Sequence, residues 1–295
     1  MSGQSAAPLN VLTIDLEDWF HVTNFAGCIS RRDWRSCPTR LQETVPRLLD
    51  LLDAHGARAT FFALGWVARR FPRLIRRIGE EGHELATHGD AHRLLSELSP
   101  AAFRRQLLRS CDAIEQAGGQ RVLGHRAPTY SLRQRTAWAI PILLEAGIQF
   151  DSSVFPFGFR RDPRLCDSRL PCVLEDHGSG PLTEYPLSTR RVAGQNIPMA
   201  GGGYFRLLPY AFIRQSIQQL NRAGHRAIMY LHPWELDPQQ PRVRTASRGA
   251  RFRHYHHLDR TEAKLRRLLS DFRFASIREV FWSPRSQRYE VIPQQ

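Results

Sequence analysis

The sequence predicts an α/β fold in which a parallel sheet is covered by helices, either doubly wound or closed into a barrel. Three observations carry this. Short runs rich in Val, Ile, Leu and Phe alternate with longer segments whose apolar residues recur every three to four positions. Gly or Pro punctuates many of the joins between them. Polar, reactive residues follow directly on the apolar runs, at what would be the C-terminal ends of strands, where α/β barrels assemble their active sites.

Taken in order, Val11 to Ile14 reads as the first strand, followed after an aromatic loop by a helix over Leu41 to Ala54. Ala59 to Ala63 reads as a buried strand and Val67 to Ile78 as a helix, with Gly82 ending that region and Glu84 to Ala86 forming the third strand. Pro100 to Ala117 is helical, capped by Ser99 and stopped by Gly118 and Gly119. A serine hydroxyl satisfies an orphan N–H at a helix start, and glycine accepts the left-handed backbone that ends one. Val122-Leu123, Thr136 to Ala146 and Ile148 to Phe150 repeat the strand, helix, strand order. From Pro156 to Pro198 the alternation fails amid Pro, Arg, Gly and Asp, apart from a short strand at Leu182 to Leu187, and the stretch reads as elaborated loops over the active face. The pattern resumes with a helix over Ala211 to Arg222 and a strongly apolar strand, Ala227 to Leu231. A basic, Pro-rich segment, 238–253, precedes a last helix over Thr261 to Phe272.

Composition narrows the function classes. A 42% hydrophobic share over 295 residues supports a substantial core and excludes disorder. No run approaches the length of an apolar membrane helix. Met1 to Leu9 shows no basic region followed by an apolar stretch, so a cytoplasmic location is expected. We take 1–9 as a tail and 10–295 as a single catalytic domain. The five cysteines fit a reducing compartment; Cys166 and Cys172 are near enough to bridge, but that setting argues against it.

The net charge of +14 admits nucleic acid, an anionic membrane or an acidic polymer as partner. Arg69, Arg70, Arg73, Arg76 and Arg77 read as one solvated helix face. The denser block holds Arg242, Arg244, Arg248, Arg251 and Arg253 interleaved with Phe252, His254 and Tyr255, a mixture able to grip anions and stack on sugars. No nucleic-acid motif accompanies it, and no nucleic-acid partner is expected. If the block instead folded back and packed, Phe252 and Tyr255 would be buried.

The chemistry concentrates in two clusters. His88 and His92 follow the third strand, spaced so that a turn can aim both imidazoles at one ion. Asp15, Glu17 and Asp18 follow the first strand and offer carboxylates to complete a metal site. A histidine pair at this spacing arises by chance; the joint pattern is what points to a metal-assisted hydrolase. Three further segments fit it: Gly124-His-Arg-Ala-Pro-Thr-Tyr130, Phe150-Asp-Ser-Ser153 and Met229-Tyr-Leu-His-Pro-Trp-Glu235.

In this order the motifs resemble those of the polysaccharide deacetylase (NodB-homology) family of metal-dependent carbohydrate esterases: Thr13-Ile-Asp15, His88 to His92, Arg126-Ala-Pro128 with Tyr130, Asp151, and Leu231-His232. The resemblance runs from residue 10 to about 235 and implies a distorted (β/α) barrel. The signatures Asp15-Leu-Glu-Asp-Trp-Phe-His21, Gly201-Gly-Gly-Tyr-Phe-Arg206 and His232-Pro-Trp-Glu235 are similar to a subgroup encoded with exopolysaccharide and PEP-CTERM/exosortase systems, which carries a basic C-terminal extension, here Arg242 to Leu269 within 236–295.

The resemblance implies removal of N-acetyl groups from N-acetylhexosamine units of a polysaccharide or of its precursor, and the aromatic loops and basic extension favour an anionic polymer over a neutral one. It implies a divalent metal, zinc by ligand chemistry, on His88 and His92. The third ligand stays open: alternation puts Glu17 on the face of Asp15, whereas reach into the loop favours Asp18 narrowly. Two adjacent aspartates are usual in the family; here Leu16 takes the second position. Asp15 is implied as general base, Arg126 as its partner, and His232 as general acid, with Asp151 on the far nitrogen of His232. The turn at Thr129 and Tyr130 would aim a backbone N–H at the oxyanion. Leu231 would line an acyl pocket, and Trp234, with Trp19, Phe20, Tyr204 and Phe205, would stack on sugar rings. Two other readings remain: a hydrolase of small amides or cyclic imides on the same barrel, and a non-catalytic glycan-binding protein.

Overall fold

A computed structural model describes residues 8–157, 165, 166, 168–174 and 181–291. Most of the expected N-terminal tail, 1–7, lies outside them, as do parts of the stretch between Pro156 and Pro198 and the last residues of the extension.

The first half follows the alternation: β1 (Leu9–Leu16), α1 (Leu41–Asp53), β2 (Thr60–Ala63), α2 (Gly65–Arg70), α3 (Pro72–Glu80), β3 (Glu84–Thr87), α4 (Pro100–Gly118), β4 (Gly124–His125), α5 (Ala139–Glu145) and β5 (Phe150–Asp151). The helix expected over Val67 to Ile78 is two helices, α2 and α3. Pro72 has no N–H for the ladder, and Phe71 before it leaves helical geometry at φ −132°, ψ 57°. At α4 the Ser99 hydroxyl accepts from Ala102 N–H at 3.3 Å, and Gly119 ends the helix at φ +67°.

The second half is richer than its sequence pattern suggests. It contains β6 (Cys172–Leu174), β7 (Leu182–Glu184), β8 (Thr189–Val192), β9 (Gln195–Pro198), α6 (Gly202–Leu207), α7 (Tyr210–Arg222), β10 (Ile228–Leu231), α8 (Arg248–Tyr255), α9 (Leu258–Asp271), β11 (Arg273–Ala275), α10 (Ile277–Phe281), β12 (Trp282–Ser283) and β13 (Arg288–Tyr289). The stretch read as loops therefore holds a β8–β9 hairpin, turned at Ala193 and Gly194 with φ +46° and +80°. The basic segment holds α8, whose Ser247 hydroxyl accepts from Ala250 N–H at 3.2 Å. Cys166 and Cys172 face each other, their sulfurs 2.7 Å apart.

The sheet runs β10-β1-β2-β3-β4-β5-β7-β6, with β11 also on β1; its pairings are parallel except β6 with β7. It curls until its ends approach. Ser188 N–H donates to Ile228 O at 3.1 Å and Tyr230 N–H to Ala200 O at 2.8 Å, bringing the chain after β7 back against β10. Gly201 makes that approach possible, since a Cβ there would lie 1.6 Å from Tyr230 O. The result is a curled half-barrel of the distorted (β/α) type, surrounded by helices.

Two apolar cores form. The larger fills the space between sheet and helices, with Val11, Leu12, Ile14, Phe61, Phe62, Leu85 and Phe150 all buried. The second lies beyond the C-terminal ends of β1 and β10 and joins Trp19, Phe20, Phe25, Trp34 and Trp234 to Ala246, Ala250 and Leu258. Each large side chain buried there contributes roughly 2 kcal/mol, which fixes the loop after β1 and the C-terminal extension to one another.

Candidate metal and catalytic site

β1 and β3 flank β2 and run parallel, so their C-terminal ends lie on one edge of the sheet and their polar termini converge across β2. Glu17 Oε1 lies 2.9 Å from His88 Nε2 and 3.0 Å from His92 Nε2, all three residues buried. His88 Nδ1 is 2.8 Å from Arg126 O. A carbonyl only accepts, so Nδ1 carries the proton and Nε2 presents its lone pair toward Glu17. A lone pair and a carboxylate oxygen in contact repel unless a cation joins them. Two imidazole nitrogens and one carboxylate oxygen at these separations suit a single divalent ion, whose bonds of about 2 Å place neighbouring donors roughly 3 Å apart. Burial raises the pKa of Glu17, and it is positive charge among His92 and His88, the charge a bound cation would supply, that holds it well below the usual carboxylate range.

Asp18, narrowly favoured from sequence as the third ligand, is elsewhere. Its Oδ2 accepts from Thr39 Oγ1 at 2.7 Å and Arg40 N–H at 2.9 Å, and its Oδ1 from Trp19 N–H at 3.0 Å. It ties the β1 loop to the start of α1, while strand alternation, carried one residue past β1, sends Glu17 to the face of Asp15.

Asp15 sits beside the cluster. Its Oδ1 accepts from Arg126 Nη1 at 2.6 Å, and its Oδ2 is 4.0 Å from His88 Nε2 and 3.8 Å from His232 Nε2. Arg126 is fully buried. It donates also to Thr13 Oγ1 and to Ser152 O and Oγ, and its guanidinium lies 4.1 Å over the Phe62 ring. A buried cation with this many partners is rigid, so the carboxylate it holds is rigid as well.

On the opposite side of Asp15, His232 follows β10. Its Nδ1 is 2.8 Å from Glu235 Oε1, and Glu235 Oε2 accepts from Arg206 Nε at 2.8 Å. Burial would lower the pKa of His232, but the hydrogen bond and charge of Glu235 push it up to about 9. Arg206 also donates to the carbonyls of Arg253, His254 and His256, satisfying the end of α8. The extension thereby fixes Arg206, which fixes Glu235, which orients His232. Arg206 and Glu235 stand within the signatures Gly201 to Arg206 and His232 to Glu235, which by themselves assign neither a task. The available signal was local: Glu235 stands three residues after His232 across a turn opened by Pro233.

Asp151 was expected against His232 and is not there. Its Oδ1 is 2.6 Å from His125 Nδ1 and its Oδ2 accepts from Ser153 N–H at 2.9 Å. Neighbouring Glu184 is held well above the usual carboxyl range by burial and by the charge of Asp151.

A cavity of about 440 Å³ opens onto the cluster, lined by Asp15, Glu17, His88, His92, Thr129, Tyr130, Tyr230, His232 and Trp234, and further by Tyr204, Arg206, Leu207, Phe252, Arg253 and His256. Thr129 and Tyr130 occupy left-handed backbone at φ +53° and +56°. Tyr130 and Ser131 donate their N–H groups to Ala127 O and Pro128 O, and among the described residues the Thr129 N–H has no such partner. Leu231 does not line this cavity. It is buried in the main core, because alternation sends Tyr230 and His232 inward and Leu231 to the other face. Trp19 and Phe20 belong to the second core and Phe205 to the main one. Trp234 reaches the cavity with its faces already covered by His232, 5.1 Å away, and His254, 4.2 Å away. Phe252 and His256, given no place at the site from sequence, do line it.

Residues 35–149 match the profile of a family described as polysaccharide deacetylase, and residues 152–282 match one described as a domain of unknown function (DUF3473). A chitooligosaccharide deacetylase of Bradyrhizobium sp. (strain ANU 289) is 38% identical over 87 residues, 30% of this chain and 40% of that protein. A peptidoglycan-N-acetylglucosamine deacetylase of Bacillus cereus is 34% identical over 77 residues, 26% of this chain and 28% of that protein. The chain thus spans less than half the length of either curated relative. A solved structure described as a putative polysaccharide deacetylase from Mycobacterium smegmatis shares the fold at TM-score 0.59 and 21% identity, covering 100% of this chain and 97% of that one. Profile and relatives agree that residues 35–149 are similar to the polysaccharide deacetylase (NodB-homology) family, and the Glu-His-His cluster fits that likeness.

Proposed function

We propose that this protein is a divalent-metal-dependent hydrolase that removes N-acetyl groups from N-acetylhexosamine units of a polysaccharide or its precursor, with exopolysaccharide biosynthesis as its setting. The observation that carries this reading is the placing of Asp15 between two machines: the Glu17, His88 and His92 cluster on one side and the His232–Glu235 pair on the other. Relatives named as deacetylases of chitooligosaccharide and peptidoglycan support the substrate class, and the three signatures around Asp15, Gly201 and His232 support the setting. Residues 10–295 act as one catalytic unit in this reading, since both profile-matched segments supply strands to one sheet.

Glu17, His88 and His92 would hold a divalent ion, zinc by its liking for imidazole and carboxylate, and that ion would supply polarisation of the acetyl carbonyl and a more acidic water. Asp15, held by Arg126, takes a proton from the water that adds to the carbonyl carbon. The Thr129 N–H faces the oxygen on which negative charge grows. His232, protonated and oriented by Glu235, gives its proton to the nitrogen as the C–N bond breaks, leaving acetate and a free amine. The cavity exceeds what a small cyclic amide needs and is edged by Tyr204 and Phe252, which favours a sugar chain.

The test is acetate release from N-acetylated chito-oligosaccharides and from an acetylated exopolysaccharide, before and after chelation and with metal restored. Release that chelator abolishes and metal restores is expected. Release indifferent to chelator, or none from either substrate with metal bound, overturns the proposal.

A further inference from the structure

We propose that the outer face of α8 is a subsite for carboxylate-bearing sugar units of the same glycan whose N-acetyl unit enters the metal cavity; this rests on the deacetylase reading above. The first observation is continuity. Phe252 lines the metal cavity and also a second, shallower one formed with Arg242, Arg248, Arg251 and Tyr255. One chain can pass from the first to the second over a single aromatic ring.

The second observation is the state of the side chains. Phe252 is 58% exposed and Leu207, also on the cavity edge, 51%. The extension packs down through Ala246, Ala250 and Leu258, with Tyr255 half-buried, yet leaves Phe252 outside that core. Ala250 and His254 point inward, and the helical period turns Arg248, Arg251 and Phe252 outward. Arg242, Arg244, Arg248, Arg251 and Arg253 form no ion pair among the described residues, whereas arginines such as Arg40, Arg77 and Arg214 are matched to acids. Five unmatched guanidinium groups within twelve residues repel one another, and a bound anion relieves that repulsion. Arg242 is already aimed, its guanidinium 4.4 Å over the Tyr255 ring, whose hydroxyl is pinned by Pro241 O and Val243 N–H.

The third consideration is ligand shape. A guanidinium fork matches a carboxylate in two parallel hydrogen bonds, and an exposed phenyl ring matches the apolar face of a pyranose. Uronate units along a glycan present both at sugar spacing. A nucleic acid would ask for a row of exposed stacking rings; among the described residues lining this face Phe252 is the one exposed ring, since Tyr255 is half-buried and covered by Arg242.

Calorimetry tests the proposal on the metal-loaded protein with two probes: a hexasaccharide alternating N-acetylglucosamine with glucuronate, and a neutral N-acetylglucosamine hexamer. The acidic hexamer should bind about tenfold more tightly at low salt, the joint effect of three exposed charge pairs of ordinary strength. The preference should shrink at about 0.5 M salt, where screening is strong. R242Q/R248Q/R251Q, at positions that do not line the metal cavity, should abolish it and leave the neutral hexamer within about twofold. Equal affinities in the native protein at low salt, or a preference that survives the triple substitution, overturn the proposal. So does tighter binding of a thymidine oligonucleotide or of phosphatidylglycerol vesicles than of the acidic hexamer. Acetate release is followed in parallel: if neither hexamer is deacetylated yet the acidic one still binds through these arginines, the deacetylase reading fails and the subsite stands.

Discussion

Asp15 and His232 lie within 3.8 Å of each other, yet their supports come from different parts of the chain. Asp15 is held by Arg126, which is held in turn by Thr13 and Ser152, all on or beside β1, β4 and β5. Nothing in that set can shift without disturbing the sheet. His232 is held by Glu235 and Arg206, and Arg206 by the last carbonyls of α8 in the C-terminal extension. In the proposed mechanism the base side, Asp15, is built into the barrel, whereas the acid side, His232, is fastened by an appended element. The two sides should therefore fail differently.

The largest effects belong to the barrel side. Asp15→Asn should cut turnover about 10²- to 10⁴-fold, the ordinary worth of a positioned base, while leaving most of the metal bound. His88→Ala should lose both turnover and metal. Elemental analysis beside acetate release separates them, and near-normal turnover in Asp15→Asn would place the base elsewhere. Because Asp15→Asn leaves Arg126 without its counter-charge, its melting point should be recorded alongside; Thr13 and Ser152 still accept from the guanidinium.

On the acid side the effect should appear in the pH profile. His232 is held at about 9, so the acid form is present below that value and is lost as pH rises through it. Glu235→Gln removes the charge that raises it, so the alkaline limb of kcat/KM should move toward the free imidazole value near 6.5. Activity at pH 8.5 should then fall about tenfold or more, with little change at pH 6. Arg206→Gln should move the limb less, since Glu235 remains, but should lower the melting point as α8 loses its carbonyl partner. Breaking a buried pair of this kind typically costs about 3 to 5 kcal/mol. Asp151→Asn sharpens the comparison. Its carboxylate serves His125 and Ser153, so the alkaline limb should stay in place. A limb moved by Asp151→Asn and not by Glu235→Gln would reverse the assignment.

The same division governs what the sequence disclosed. In the first half most strands and helices announce themselves, because their apolar period and caps are local: Ser99 caps α4 and Gly119 ends it using residues within a turn, while the break at Pro72 splits into α2 and α3 what the period reads as one helix. The histidine pair and the acids after β1 were visible for the same reason. Asp18 against Glu17 was settled by contacts with Thr39 and Arg40, 21 and 22 residues away, which no window around β1 contains. In the second half the short strands β6, β8 and β9 and the helices α6 and α8 carry little period of their own and are fixed by what they touch. The hold of α8 on Arg206 spans 47 to 50 residues. Glu235 is different: its bond to His232 is local, and a carboxylate three residues after a histidine across a proline turn was legible.

The smallest expected effect on turnover belongs to Leu231, which stands between two cavity residues in sequence. Alternation along β10 turns Tyr230 and His232 toward the cavity and Leu231 into the main core, where it is 3% exposed. Leu231→Val removes one methylene from a packed site, and should cost about 1 kcal/mol of stability. Because the side chain does not face the acyl group, KM and kcat for an N-acetylated oligomer should remain unchanged, and N-propionyl and N-acetyl substrates should be discriminated as before. A gain in propionyl turnover would put Leu231 back in the acyl pocket and show that β10 turns its side chains the other way at its end. Unchanged discrimination with a lowered melting point would leave Tyr230 and His232 as the groups through which β10 meets the substrate.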